Sequence, residues 1–322
     1  MQKWYQKAAP EFETKTSKSL IHPFIVKGKH TGLTINPYQG CQHRCGYCYA
    51  TYLWSPEFFD KIYAKSNAPE ILEDELKSWK HNTIDTVMVS SATDPYQPAE
   101  IKYNLTRKCI EVLQRYRVPY YVFTKSSIIL RDLELHEKYK DSCFLVWSIT
   151  TCNEKIRRLV EPGTPPATSI FMAIRKFVDA GVCCGVNIDP ILPLLTDSEE
   201  EIELILESCI SAGVTYVFGS ILRLRDDIWQ RMTTILKSLD VKGGIDEYRR
   251  IYQFSEPLKT GFNITANQLY SDTVMHNLEQ KVSKRGLFNH FPDHMKSRRI
   301  SRGFANNTNG TSSCQHTLLR YM

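Results

Sequence analysis

Six short runs of β-branched and aromatic residues, each leading into a helical pattern, constrain this chain more than any other feature. They fall at residues 32–37, 85–90, 118–123, 144–149, 182–188 and 214–218. The runs are continuously apolar rather than alternating, the mark of parallel strands buried on both faces. Helical patterns lie near residues 55–64, 70–79, 106–116, 131–139, 168–180, 198–212 and 226–239, with Gly181 and Gly213 placed as helix C-terminal glycines. About six βα units without hairpin signals predict a parallel barrel or an open doubly wound sheet. At 322 residues the chain is long enough to bury a sizeable core in either form.

Chemically capable residues recur just past these runs. Cys41, Cys45 and Cys48 follow the first, and Thr93 and Asp94 the second. Thr124, Lys125 and Ser126 follow the third, and Ser148, Thr150 and Thr151 the fourth. Asn187 and Asp189 end the fifth, and Arg223 and Arg225 follow the sixth. Polar residues end strands in proteins of every kind, but active sites of parallel barrels are assembled at this C-terminal face.

The cysteines of the first loop stand in Asn36-Pro37-Tyr38-Gln39-Gly40-Cys41-Gln42-His43-Arg44-Cys45-Gly46-Tyr47-Cys48-Tyr49-Ala50. Three metal sites compete for them. Zinc prefers a second cysteine pair, and the one other close pair, Cys183 and Cys184, is adjacent and points to opposite faces of a strand. An electron-transfer iron–sulfur cluster takes four cysteines, and no fourth lies in range. A [4Fe–4S] cluster held by three thiolates keeps one iron open to a small molecule, as catalytic metals do.

Cys109, Cys143, Cys152, Cys183, Cys184, Cys209 and Cys314 show no ligand spacing and read as small buried hydrophobes. Ten cysteines, with no apolar export signal at the N-terminus, give the expectation of a reducing, cytoplasmic compartment. No apolar run reaches transmembrane length, so no membrane partner is expected.

Cys-x3-Cys-x2-Cys with an aromatic before the last cysteine resembles the signature of radical S-adenosylmethionine enzymes. The resemblance implies a partial (β/α)6 barrel of the TIM type. It implies a [4Fe–4S] cluster whose open iron takes the amino and carboxylate groups of S-adenosylmethionine. An external electron donor of flavodoxin or ferredoxin type would reduce the cluster, and the resulting 5′-deoxyadenosyl radical would abstract hydrogen from substrate. Asn-Pro-Tyr-x-Gly-Cys, Ser91-Ala92-Thr93-Asp94-Pro95-Tyr96-Gln97-Pro98-Ala99-Glu100, Phe123-Thr124-Lys125-Ser126 and Glu161-Pro162-Gly163-Thr164-Pro165 are similar to the spore photoproduct lyase branch, a DNA-repair family.

Carried over by position, the resemblance gives the cluster to Cys41, Cys45 and Cys48 and packs Tyr47 beside it. Tyr49 lies near the adenine, Thr93 and Asp94 meet the methionine amino group, Lys125 its carboxylate and Ser148 the ribose. A carboxylate suits an ammonium, a lysine a carboxylate, and a hydroxyl a ribose diol. The branch departs at Ser91, where the lyase carries a hydrogen-donating cysteine. A serine O–H bond is too strong for that role, so Cys152, Cys183 or Cys184 would have to supply a thiol.

The domains expected are an N-terminal arm at 1–29, loosely packed, a core barrel at 30–255 and a basic extension at 256–322. Lys281, Lys284, Arg285, Lys296, Arg298, Arg299 and Arg302 in the extension suit either a phosphate-binding patch or a solvated tail. Only Cys314 lies in that extension, so one cluster is expected. A nucleic-acid substrate is the first expectation. A peptide or small metabolite is the second, and a cluster-bearing binding or maturation protein without turnover the third.

Overall fold

The computed structural model describes residues 9–26, 29–52, 57–80, 83–258, 262–295 and 300–301. In chain order its strands are β1 (Glu11–Lys15), β2 (His22–Val26), β3 (Lys29–Ile35), β4 (Tyr38–Gln39), β5 (Lys61–Lys65), β6 (Thr83–Ile84) and β7 (Val87–Val89). β8 (Tyr120–Thr124), β9 (Cys143–Ser148), β10 (Cys184–Ile191), β11 (Tyr216–Ile221) and β12 (Ile300–Ser301) follow. The helices are α1 (Ala68–Lys77), α2 (Ala99–Tyr103), α3 (Leu105–Arg115), α4 (Leu133–Glu137), α5 (Glu154–Val160) and α6 (Ala167–Asp179). They continue with α7 (Glu199–Ala212), α8 (Asp226–Ser238), α9 (Gly244–Tyr252) and α10 (Gln268–Lys284).

The main sheet runs β11-β10-β9-β8-β7-β3-β2, with its first six strands parallel and β2 antiparallel at the edge. A helix returns the chain between successive parallel strands, the connection parallel pairing requires. The sheet curls into a partial barrel. Alternate residues of each strand divide between two cores. Leu33, Val87, Val122, Leu145, Trp147 and Val186 face the helices. Met88, Tyr121, Phe144, Val146 and Tyr216 face the concave side. Both faces are apolar, which is why the strands read as unbroken runs. Truncating a ring as deep as Phe144 would cost about 3–5 kcal/mol.

Local signals set the helix ends. Asn153, Ser198 and Asn267 cap α5, α7 and α10 with side-chain oxygens, and Gly213 ends α7 in the left-handed conformation.

Three regions differ from the sequence expectation. Part of the N-terminal arm is integral: β1 pairs with β5 in a separate three-stranded sheet, and β2 extends the main sheet. Glu75 fastens the link between them, accepting from the backbone of Leu20 and Ile21. The helical pattern at 55–64 is instead a turn at 57–60 leading into β5. Ile62 and Ala64 are fully buried at a spacing of two, and pairing with β1 makes that spacing a strand. Beyond residue 255, α10 packs Val274, Leu278 and Val282 onto the main core. Lys281 and Arg285 pair with Glu203 of α7, and Lys281 also with Glu199, so these two charges are balanced by α7. Lys296, Arg298, Arg299, Arg302 and Cys314 lie outside the described residues.

Candidate functional site

The cysteine loop sits at the C-terminal end of β3 and is pinned at its turns. Gly40 has φ +83°, and a Cβ there would lie 2.2 Å from the carbonyl oxygen of Lys61, so only glycine fits. Gln97 spans the loop: its amide donates to the Gly40 carbonyl (3.0 Å) and its side-chain oxygen accepts from the Gln42 N–H (3.0 Å). Arg231 of α8 donates to the Gly46 carbonyl at 2.7 Å, and the Gly46 N–H donates to Val160 of α5 at 2.8 Å. Gly163 donates to the His43 carbonyl at 3.0 Å, and a Cβ on it would stand 2.2 Å from the oxygen of Gln42.

Cys41, Cys45 and Cys48 all open onto one cavity of about 940 Å³ inside the barrel. Among the described residues, no three His, Cys, Asp or Glu side chains group to hold a single metal ion. Three thiols on one cavity can serve as ligands of a cluster, in which each binds a different iron. Burial pushes all three thiols above their ordinary range. A bound cationic centre reverses that preference, because a coordinating thiol is deprotonated.

The same cavity is lined by every residue the sequence assigns to S-adenosylmethionine: Tyr47, Tyr49, Thr93, Asp94, Lys125 and Ser148. Their states differ. The Thr93 hydroxyl is buried and has no hydrogen-bond partner. Asp94 accepts three hydrogen bonds, from the Tyr96 N–H and Thr124 hydroxyl on one oxygen (both 2.8 Å) and from the Lys125 N–H on the other (2.7 Å), and that second oxygen also stands 3.0 Å from His43 Nε2 as an ion pair. A carboxylate has about four lone-pair sites, so three hydrogen bonds leave one on the oxygen that faces His43. Burial alone would raise its carboxyl, but His43 and the other donors hold it below the usual range.

Lys125 Nζ lies 3.0 Å from Glu161 and also donates to the carbonyls of Ser148 (3.1 Å) and Asp189 (3.3 Å). The Tyr47 hydroxyl donates to Glu161 and meets the Thr150 hydroxyl at 3.0 Å. Burial would raise Glu161 and lower Lys125. Their mutual attraction overrides it, leaving the carboxyl below and the ammonium above its ordinary value.

Of the other residues predicted past the strands, Thr124, Asn187, Asp189 and Arg223 line the cavity. Thr151 turns to Glu201, and Arg225 is not among the lining residues. Cys152, Cys183 and Cys184 do not line it either: Cys183 and Cys184 stand at the N-terminal start of β10, the wrong end of the strand. Ser91 does line it, with its hydroxyl 3.3 Å from Asn36 Nδ2.

Sequence reasoning gave no role to His43, and quoted Glu161 only as the first residue of a motif. His43 bridges Asp94 and the Gly163 carbonyl (3.0 Å), so it ties the cysteine loop to two others. A histidine inside the cysteine spacing was its only signal. Asn263, Phe291 and Met295 also line the cavity, so the C-terminal region reaches the site.

The Radical SAM superfamily model matches residues 35–209. An uncharacterised protein of Mycobacterium tuberculosis is 34% identical over 203 residues, covering 59% of each chain. This chain therefore spans under two thirds of that relative's length. An uncharacterised protein of Acidianus two-tailed virus is 30% identical over 214 residues, covering 62% of this chain and 70% of its own. Among solved structures, a spore photoproduct lyase variant with bound AdoMet and dinucleoside spore photoproduct superposes with a TM-score of 0.65. It covers 87% of this chain and 82% of that one at 13% identity, which is a likeness of fold.

Proposed function

Because this chain belongs to the radical S-adenosylmethionine superfamily, we propose that Cys41, Cys45 and Cys48 hold a [4Fe–4S] cluster beside a seat for S-adenosylmethionine. When bound, and reduced by an external flavodoxin- or ferredoxin-type donor, this pair supplies a 5′-deoxyadenosyl radical that takes hydrogen from substrate. The observation that carries the reading is that three buried thiols open onto one cavity that Thr93, Asp94, Lys125 and Ser148 also line.

The chain's own residues bind and orient. Thr93 offers its oxygen to the cofactor's ammonium. Lys125 offers positive charge to the carboxylate, and to reach it must share its ammonium with Glu161. Ser148 serves the ribose, Tyr49 the adenine, and Tyr47 carries the Lys125–Glu161 pair beside the cluster. Asp94 acts at one remove. It orients the backbone of Lys125 and the ring of His43 and keeps negative charge beside the ammonium.

The test is anaerobic reconstitution followed by incubation with S-adenosylmethionine and dithionite. Formation of 5′-deoxyadenosine is the expected result. Cluster loading without it would leave a binding or maturation protein.

For substrate, nucleic acid is supported by the dinucleoside bound in the solved relatives and by Arg223, a cation on the cavity wall. Salt-sensitive binding of DNA or RNA is expected, and no binding at low salt would exclude it. A small metabolite or peptide side chain is the second reading. It is favoured by the aromatic lining of the cavity, with Tyr121, Phe123 and Phe291 on its wall.

A further inference from the structure

Helix α8 sets a pair of opposite charges against the cysteine loop. Asp227 and Arg231 stand one turn apart on it and pair at 3.0 Å. The Arg231 side chain is 14% exposed and turns its N–H groups to the loop. Nε donates to the Gly46 carbonyl at 2.7 Å, and Nη2 lies 3.4 Å from the Cys48 carbonyl and 3.2 Å from Thr51 Oγ1. The Thr51 hydroxyl donates at 2.6 Å to the same Asp227 oxygen that Arg231 meets, which closes a ring of three side chains. The guanidinium carbon also lies 5.7 Å over the Phe59 ring. No Asp or Glu falls outside the described residues, so Asp227 is the one acidic side chain within 4 Å of this guanidinium.

These contacts reach the Cys48 sulfur by two routes. The first is geometric. The N–H groups of Ala50 and Thr51 donate to that sulfur, and Thr51 is held by Asp227 and Arg231. Hydrogen bonds to the sulfurs are among the levers that set the potential of an iron–sulfur cluster. The second is charge. Burial raises the Cys48 thiol, while the Ala50 N–H and then the Arg231 charge oppose it. Cys41 and Cys45 differ: the strongest charges on them are the carboxylates of Asp94 and Glu161, which act with burial. One of the three cysteines therefore faces a cation first, the other two a carboxylate.

We propose that Arg231 is a positioning residue for the cluster. It holds Gly46, Cys48 and Thr51 in one arrangement and sets a positive charge beside Cys48, which raises the reduction potential of a cluster bound there. Reduction adds one negative charge, so a fixed cation nearby stabilises the reduced form more than the oxidised one. Arginine suits the task because it is always charged and its planar fork meets several acceptors at once. The inference rests on the reading of Cys41, Cys45 and Cys48 as cluster ligands.

The test is a redox titration, followed by electron paramagnetic resonance, of anaerobically reconstituted parent protein and three variants. At a fixed solution potential, Arg231→Gln/Asp227→Asn should show about a tenfold lower ratio of reduced to oxidised cluster, a shift of about 59 mV for a one-electron couple. Arg231→Gln alone should fall further, because Asp227 is left without its partner. Arg231→Lys keeps the charge and loses the fork. Its ratio should stay within about threefold of the parent, while a chelator removes its iron several-fold faster. A parent-like ratio in the double variant would make the pair electrically silent and overturn the proposal. So would a tenfold fall in Arg231→Lys, which decides the matter even where the Gln variants take up no cluster. Faster iron loss with an unchanged potential in every variant would leave a purely structural clamp and also overturn it. A parent protein that takes up no iron would instead remove the cluster reading itself.

Discussion

Lys125 and Glu161, 36 residues apart in sequence, form a buried ion pair of 3.0 Å in the wall of the cavity that holds the three cysteines. The pair joins the end of β8 to the loop after α5, and the Tyr47 ring lies 5.4 Å from the ammonium. Breaking a buried pair by removing one partner strands the other charge. Lys125→Met is therefore expected to cost about 3–5 kcal/mol in chemical denaturation. The double variant Lys125→Met/Glu161→Gln should recover most of that loss. A double variant no more stable than the single one would show that the pair is not coupled.

Replacing any one of Cys41, Cys45 and Cys48 by alanine should remove most iron and abolish 5′-deoxyadenosine formation. In the parent protein, iron and sulfide analysis should give about four of each per chain, the content of one cubane cluster. Clearly higher values would mean a second cluster.

Gly163→Ala tests how tightly the cysteine loop is held. The added methyl would stand 2.2 Å from the Gln42 oxygen and 2.7 Å from His43 Cα, so backbone must move. Cluster loading should fall several-fold, with a stability loss of about 1–3 kcal/mol. Unchanged loading would mean that the loop adapts freely.

His136 predicts a pH dependence of stability. It is fully buried, with the Tyr96 and Tyr120 hydroxyls each 3.0 Å from its ring nitrogens. Burial, only partly opposed by Asp132 and Glu134, lowers its pKa to about 4. Between the unfolded value near 6.5 and about 4, the unfolded chain binds a proton that the folded chain refuses, so stability falls as pH falls through that window. The linked loss is about 3 kcal/mol. Denaturation of the parent and His136→Asn at pH 7, 5.5 and 4.5 should show a shallower fall in the variant. Identical slopes would exclude His136 as the source.

The six parallel strands were legible because each is apolar on both faces, a property local sequence carries. The residues proposed for the cofactor stand just past those strands, and the cysteine spacing carries the resemblance to the superfamily whose model the chain matches. β5 was misread as helix because Lys61–Lys65 is too short for its period to outweigh neighbouring helical residues. Its partner β1 lies some fifty residues earlier in the chain. Likewise, Lys281 and Arg285 suited either a phosphate patch or a solvated tail, and α10 instead docks against α7, where Glu203 and Glu199 pair with them.

Sequence by itself determined the six apolar strand runs, the cysteine loop and which residues follow the strands, since these follow from periodicity and spacing along the chain. Only the tertiary structure decided how those residues are partnered. Thr93 and Asp94 are neighbours, yet Asp94 accepts three hydrogen bonds and pairs with His43, while the Thr93 hydroxyl has no hydrogen-bond partner among the described residues. Phe291 reached the cavity because the chain after α10 pairs with β11. Hydrogen-bond satisfaction and ring packing depend on partners distant in sequence, and no local pattern encodes them.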